Sequence, residues 1–144
     1  MRNEWKKIPE GGPFKLEDGV YEGLWKNKKR HGQGTFYTND GGIYEGLWEN
    51  DLRHGFGRHI YANGDVYEGT WLDDEMSGDG TMVWIDGSQY DGQWANDDMS
   101  GYGTYRWKDG RTYTGNWARS QPHGKGQMID PNQETRYTGE YHNG

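Results

Sequence analysis

The sequence predicts an all-β fold, an elongated single-layer antiparallel sheet of tandem β-hairpins about 23 residues long. Three recurring elements predict it: a Tyr-x-Gly-x-Trp pentapeptide, a paired-glycine motif behind each copy, and an Asp-Gly or Asn-Gly turn signal ahead of the next. The pentapeptides run Tyr21 to Trp25, Tyr44 to Trp48, Tyr67 to Trp71, Tyr90 to Trp94 and Tyr113 to Trp117, a spacing of 23 residues, and a sixth, Tyr137 to Tyr141, arrives one residue late. The paired glycines keep the same period in His31 to Gly34, His54 to Gly57, Ser77 to Gly80, Ser100 to Gly103 and His123 to Gly126. The turn signals are Asp40-Gly41, Asn63-Gly64, Asp86-Gly87 and Asp109-Gly110, with Asp18-Gly19 one residue closer to its Tyr.

Period-two alternation explains the residue types within each element. In Tyr-x-Gly-x-Trp both aromatics and the Gly share one face, while Glu22, Glu45 and Glu68 point to the other, read as a solvated outer face. In the second strand Gly32, Gly34 and Phe36 share a face, so the rings of one strand can lie over the bare glycines of its neighbour. Asp-Gly and Asn-Gly are the strongest short hairpin signals, because Gly supplies a positive φ and Asp or Asn tolerates one. Each unit therefore reads as strand, polar loop, strand, tight turn. A lone hairpin is marginal in water, so neighbouring units must stack for the chain to fold.

Composition agrees. Only 30% of residues are hydrophobic but 15% are aromatic, so the core must be built from Trp and Tyr. The three motifs hold most of the 25 glycines, which makes the glycine content structural and removes a disordered reading. The absence of cysteine excludes a disulfide framework and a thiolate metal site. No apolar run suggests an export signal or a membrane span, and the chain is read as cytoplasmic. The net charge of −7 disfavours nucleic acid as a partner. That charge is uneven: residues 1–60 hold ten Lys/Arg against nine Asp/Glu, and residues 61–144 hold six against fourteen.

The order Y-E-G-x-W, polar loop, H-G-x-G, aromatic strand and D-G closely resembles the MORN (membrane occupation and recognition nexus) repeat. The resemblance covers about residues 12 to 144. It assigns an N-terminal tail at 1–11, a half repeat at 12–20, full repeats starting at 21, 44, 67, 90 and 113, and a truncated repeat at 137–144. Ser77 and Ser100 depart from it by replacing His, and Asp130-Pro131-Asn132-Gln133 replaces the last turn. The family implies non-catalytic scaffolds of ciliary, cytoskeletal or membrane-junction assemblies, with links to phospholipids and to larger enzymes that carry such arrays as regulatory segments.

Residue spacing disfavours chemistry. Equivalent residues of successive hairpins lie roughly 10 Å apart, too far for His31 and His54 to share a metal ion or for Glu22, Glu45 and Glu68 to act as catalytic carboxylate pairs. HGQG and HGFG lack the strand-to-helix setting of a phosphate loop. No cofactor is expected and the chain is read as not an enzyme. The expected partner is a protein helix or extended peptide held in an aromatic trough of Tyr21, Trp25, Tyr44, Trp48, Tyr67, Trp71, Tyr90, Trp94, Tyr113 and Trp117, left partly exposed by a single layer. A phospholipid alternative rests on the basic loop residues Lys26, Lys28, Lys29 and Arg30. The loops Asp73-Asp74-Glu75 and Asn96-Asp97-Asp98 are acidic, and read as solvated or as a strip that orients a charged partner. The truncated sixth copy suggests a homodimer through a C-terminal edge strand.

Overall fold

The computed structural model describes residues 13–132 and 135–141, the side chains of 135–138 excepted. The tail at 1–11, the first residue of the half repeat, Gln133 and residues 142–144 of the truncated repeat lie outside the described residues. The chain divides into two compact units, Met1–Glu75 and Met76–Gly144. In the first, β1 (Phe14–Leu16), β2 (Gly19–Lys26), β3 (Lys29–Thr38), β4 (Ile43–Glu49), β5 (Leu52–Ile60) and β6 (Val66–Leu72) pair antiparallel in chain order. In the second, β7 (Glu75–Val83), β8 (Gln89–Ala95), β9 (Asp98–Arg106), β10 (Thr112–Ala118), β11 (Gln121–Ile129) and β12 (Thr135–Tyr141) do the same. The chain is all-β, as the repeat predicts.

The core of each unit is its row of rings. Tyr21, Tyr44, Tyr67, Tyr90 and Tyr113 are 0% exposed, and Trp48, Trp71, Trp94 and Trp117 are buried beside them. Each Tyr meets the Trp of its own pentapeptide edge to face, at 5.1 Å for Tyr44 and Trp48, and Tyr21 meets Trp48 of the next hairpin at 5.6 Å. Burial leaves two polar atoms per pentapeptide to satisfy, and in the four copies from Tyr44 onward both find backbone oxygens. Tyr44 donates its hydroxyl to the Leu47 carbonyl at 2.8 Å, and the Trp48 indole donates to the Gly34 carbonyl at 3.2 Å, a pattern repeated by Trp71, Trp94 and Trp117. Burial also pushes the Tyr90 hydroxyl up to about 12 and those of Tyr21 and Tyr44 higher, so all three stay donors.

Glycine is required where strands face one another across this ring row. Gly46 pairs with Gly57, and a Cβ on Gly57 would stand 2.1 Å from the Tyr44 hydroxyl oxygen. The Tyr ring thus lies on bare backbone, as alternation predicts. Next to this pair the register slips. Gly23 faces Gly34 but Trp25 faces Arg30, so His31, Gly32 and Gln33 bulge opposite Leu24, and Gly32 takes φ 78°.

The two turn types are the reverse of the expectation. The segment read as a polar loop is a two-residue turn, Asn27-Lys28, Asn50-Asp51, Asp73-Asp74, Asn96-Asp97 or Arg119-Ser120, with both residues at positive φ, which is the type I′ geometry. The Asp-Gly signals close longer loops. Gly41 donates to the Thr38 carbonyl and Thr38 to the Gly42 carbonyl, and the same pair of bonds recurs at 61–65, 84–88 and 107–111. That is a turn followed by a bulged Gly, which uses the positive φ of Gly at the third loop position. Lys29, Arg30, Glu75 and Asp98 therefore belong to strands. Arg119 is the one first-position residue of the I′ turns without an Asn or Asp side chain, and holds φ 51°. Arg119→Asn is expected to raise stability by about 1 kcal/mol, the lower end of the roughly 1–2 kcal/mol cost of a left-handed ordinary residue, which Asn relieves. A thermal melt no higher than the parent's would contradict this.

Candidate binding groove on the aromatic face

From Asn50-Asp51 onward, each I′ turn clasps the hairpin before it. Asp51 donates its N–H to the Arg30 carbonyl at 3.0 Å and its carboxylate accepts the Arg30 N–H at 2.7 Å. Asp74 does the same to Arg53, Asp97 to Met76, and Ser120 to Met99 through its hydroxyl. The acidic residues Asp74 and Asp97 are thus structural ties between hairpins, a correction to their reading as solvated loop charges. The two bonds also explain how non-glycine residues are held at positive φ.

In the first unit the clasped residues are arginines on the aromatic face. The Arg30 guanidinium lies 5.0 Å from the Phe36 ring centre and 4.7 Å from that of Trp48, and its Nε sits 3.2 Å from the Asp51 carboxylate. Arg53 lies 4.2 Å from the Trp71 ring centre, 2.9 Å from the Asp74 carboxylate, and gives Nη1 to His59 Nδ1 at 3.2 Å. Stacking on indole and a carboxylate at Nε fix both cations in place. Between them opens a groove of about 350 Å³. Its floor is Phe36, Tyr44 and Trp48, its far wall His59, Tyr61 and Ala62, and its rim the carboxylates of Asp18, Asp40, Asp51 and Asp74. The equivalent repeat positions in the second unit carry Met76, Met99 and Pro122.

His59 is 7% exposed. Because a guanidinium only donates, His59 Nδ1 is the acceptor and a neutral ring carries its proton on Nε2. Burial, helped by Arg53 and opposed by Asp40, pushes His59 down to about 4 from the ordinary 6.5. A histidine depressed in the folded state binds its proton more readily when unfolded, so its neutral-form stability is complete above 6.5 and is lost as pH falls towards 4. The expected loss is about 3 kcal/mol at full protonation. The other hairpins place Phe36, Met82, Tyr105 and Met128 at this position. In urea titrations between pH 7 and 4, His59→Met should remove most of that slope, and an unchanged slope would contradict the assignment.

The MORN repeat model matches residues 21–43, 44–66, 67–89, 90–110 and 113–135. The chain belongs to the MORN repeat family. No curated protein matches it. Among solved structures the chain is similar to the TCP10 domain of Danio rerio CPAP in complex with a peptide of Danio rerio STIL, with 9% identity over 76% of this chain and 64% of that chain and a TM-score of 0.31. It is also similar to the Drosophila melanogaster SAS-4 (dCPAP) TCP domain in complex with a proline-rich motif of Ana2 (dSTIL), with 12% identity over 72% of this chain and 76% of that chain and a TM-score of 0.25.

The MORN pentapeptides do not form the open trough expected of them. Their five Tyr side chains are fully enclosed and the Trp rings of four copies are at most 5% exposed, because hairpin-to-hairpin stacking consumes the aromatic surface. Only Trp25 is half-buried. Of the basic residues, Lys28 and Lys29 are exposed, Lys26 is half-buried, and Arg30 is withdrawn: its side chain is 12% exposed and held by Asp18 and Asp51. Sequence reasoning missed Arg53, His59 and Asp51, and placed Asp74 in an acidic loop without its tie to Arg53. Arg30 and Arg53 recur 23 residues apart, as do Asp51 and Asp74, and that shared register was the available signal.

Proposed function

We propose that this MORN array is a non-catalytic scaffold that binds a protein partner, a helix or extended peptide, on the aromatic face of its first unit. The groove between Arg30 and Arg53 carries this reading. It is an opening on the aromatic face of the first unit, and its four rim carboxylates outnumber its two guanidiniums while His59 is neutral. Such a site favours a Lys or Arg side chain on the partner, entering beside the stacked guanidiniums to meet the carboxylates. The family resemblance supports action in the cytoplasm on a cytoskeletal, ciliary or membrane-junction assembly. The phospholipid reading keeps only Lys26, Lys28 and Lys29, and binding to anionic vesicles at physiological salt is expected to be weak. Tight sedimentation with phosphatidylserine vesicles would reverse that order.

Ala62 is exposed at the groove wall in a loop, so Ala62→Trp fills the groove without touching the ring row. Cross-linking in native cells followed by mass spectrometry should recover a partner with the parent chain and lose it with Ala62→Trp, at unchanged melting temperature. Equal recovery by both would defeat the groove reading.

A further inference from the structure

The face opposite the rings differs between the two units in a way the fold does not demand. In the first unit the register aligns Val20, Tyr37, Ile43, Ile60 and Val66 side by side across β2 to β6. The corresponding row in the second unit is Val83, Gln89, Arg106, Thr112 and Ile129, three of them polar. The same hairpins therefore form without an apolar row. Two residues along each strand runs a second row, Glu22, Thr35, Glu45, Arg58 and Glu68, against Thr81, Asp91, Thr104, Thr114 and Gln127 in the second unit. Beyond it stand Leu47, 40% exposed, and Phe56, 54% exposed, whose counterpart is Tyr102.

We propose that this opposite face of the first unit is a second docking surface, and that its occupant is a basic amphipathic helix of a partner protein. An acidic row, three Glu against one Arg, is flanked on both sides by apolar side chains. A segment that covers it must bring apolar groups to the flanks and Lys or Arg to the middle. Five strands at about 4.8 Å span about 19 Å, the length of about 13 helical residues, and one helical turn of about 5.4 Å nearly matches the strand spacing. A second copy of this chain would set Glu against Glu, and an anionic membrane would meet the same repulsion. This surface is independent of the groove, because its side chains leave the sheet on the other side.

The test uses two fluorescent 18-residue amphipathic helices with the same leucine face, one with lysine and one with glutamate on the polar face, titrated with the full chain. The lysine peptide should bind saturably and the glutamate peptide about tenfold more weakly or not at all. Tyr37→Lys with Phe56→Lys should weaken the lysine peptide about tenfold, as loss of apolar anchors with added like charge does. Tyr102→Lys, the same repeat position in the second unit, should change it less than about twofold, and Ala62→Trp should leave it unchanged. Equal binding of both peptides would show that the acidic row plays no part, equal effects of Tyr102→Lys and the double variant would show generic attraction to an acidic protein, and either would overturn the proposal. Loss of binding on Ala62→Trp would move the peptide to the groove and overturn it as well.

Discussion

Gly57→Ala will lower the unfolding free energy by about 3 kcal/mol, an overpacking cost at the upper end for one added methyl. The new Cβ would lie 2.1 Å from the Tyr44 hydroxyl oxygen and 2.4 Å from its Cζ, and the ring has nowhere to retreat because Tyr44 is fully buried. Gly41→Ala is the contrasting case: no atom stands within 4 Å, and only its φ of 103° opposes a side chain. It should cost about 1 kcal/mol. Urea unfolding of both variants measures the difference, and a double cycle with Tyr44→Ala separates ring clash from strand effects. Equal losses at Gly41 and Gly57 would mean that backbone freedom, not the ring, makes glycine necessary there.

Trp48→Ala should cost about 3–5 kcal/mol, the range for removing a buried large aromatic. The indole meets Tyr21, Phe36 and Tyr44 edge to face, supports the Arg30 guanidinium, and satisfies the Gly34 carbonyl. Since each strand pairs only with its chain neighbours, the damage should be local. Amide exchange should accelerate most in β3 to β5 and least in β9 to β11. A loss under about 1 kcal/mol, or uniform deprotection, would show that the ring row is not the stabilising element.

The ring row itself was legible because two simple constraints, a 23-residue period and alternation, both act on Tyr21, Gly23 and Trp25. The turns were not. Asp40-Gly41 carries the stronger intrinsic signal for a I′ turn, yet Gly at positive φ serves a longer bulged loop equally well. Asn50-Asp51 holds two positive φ values chiefly because Asp51 is tied front and back to Arg30, a long-range contact that no local propensity reports. The groove was hidden by the same error. Once Lys29 and Arg30 are read as loop, Arg30 has no face; extended into the strand, it shares parity with Gly32, Gly34 and Phe36 and falls on the rings. His59 sat in plain register with Phe36, but its burial depends on Arg53 and Trp71 arriving from adjacent strands.

The clasp between an I′ turn and the hairpin before it also bears on how such chains change length over generations. Excising residues 44–66 would bring Asp74 to the place Asp51 holds beside Arg30, and Trp71 to the place of Trp48, with every backbone tie re-formed by an identical residue type. Cutting one residue more or fewer would turn the rings outward and leave the arginine unclasped. Heredity should therefore lengthen or shorten this protein in whole steps of 23 residues, with point insertions confined to the bulged Gly loops.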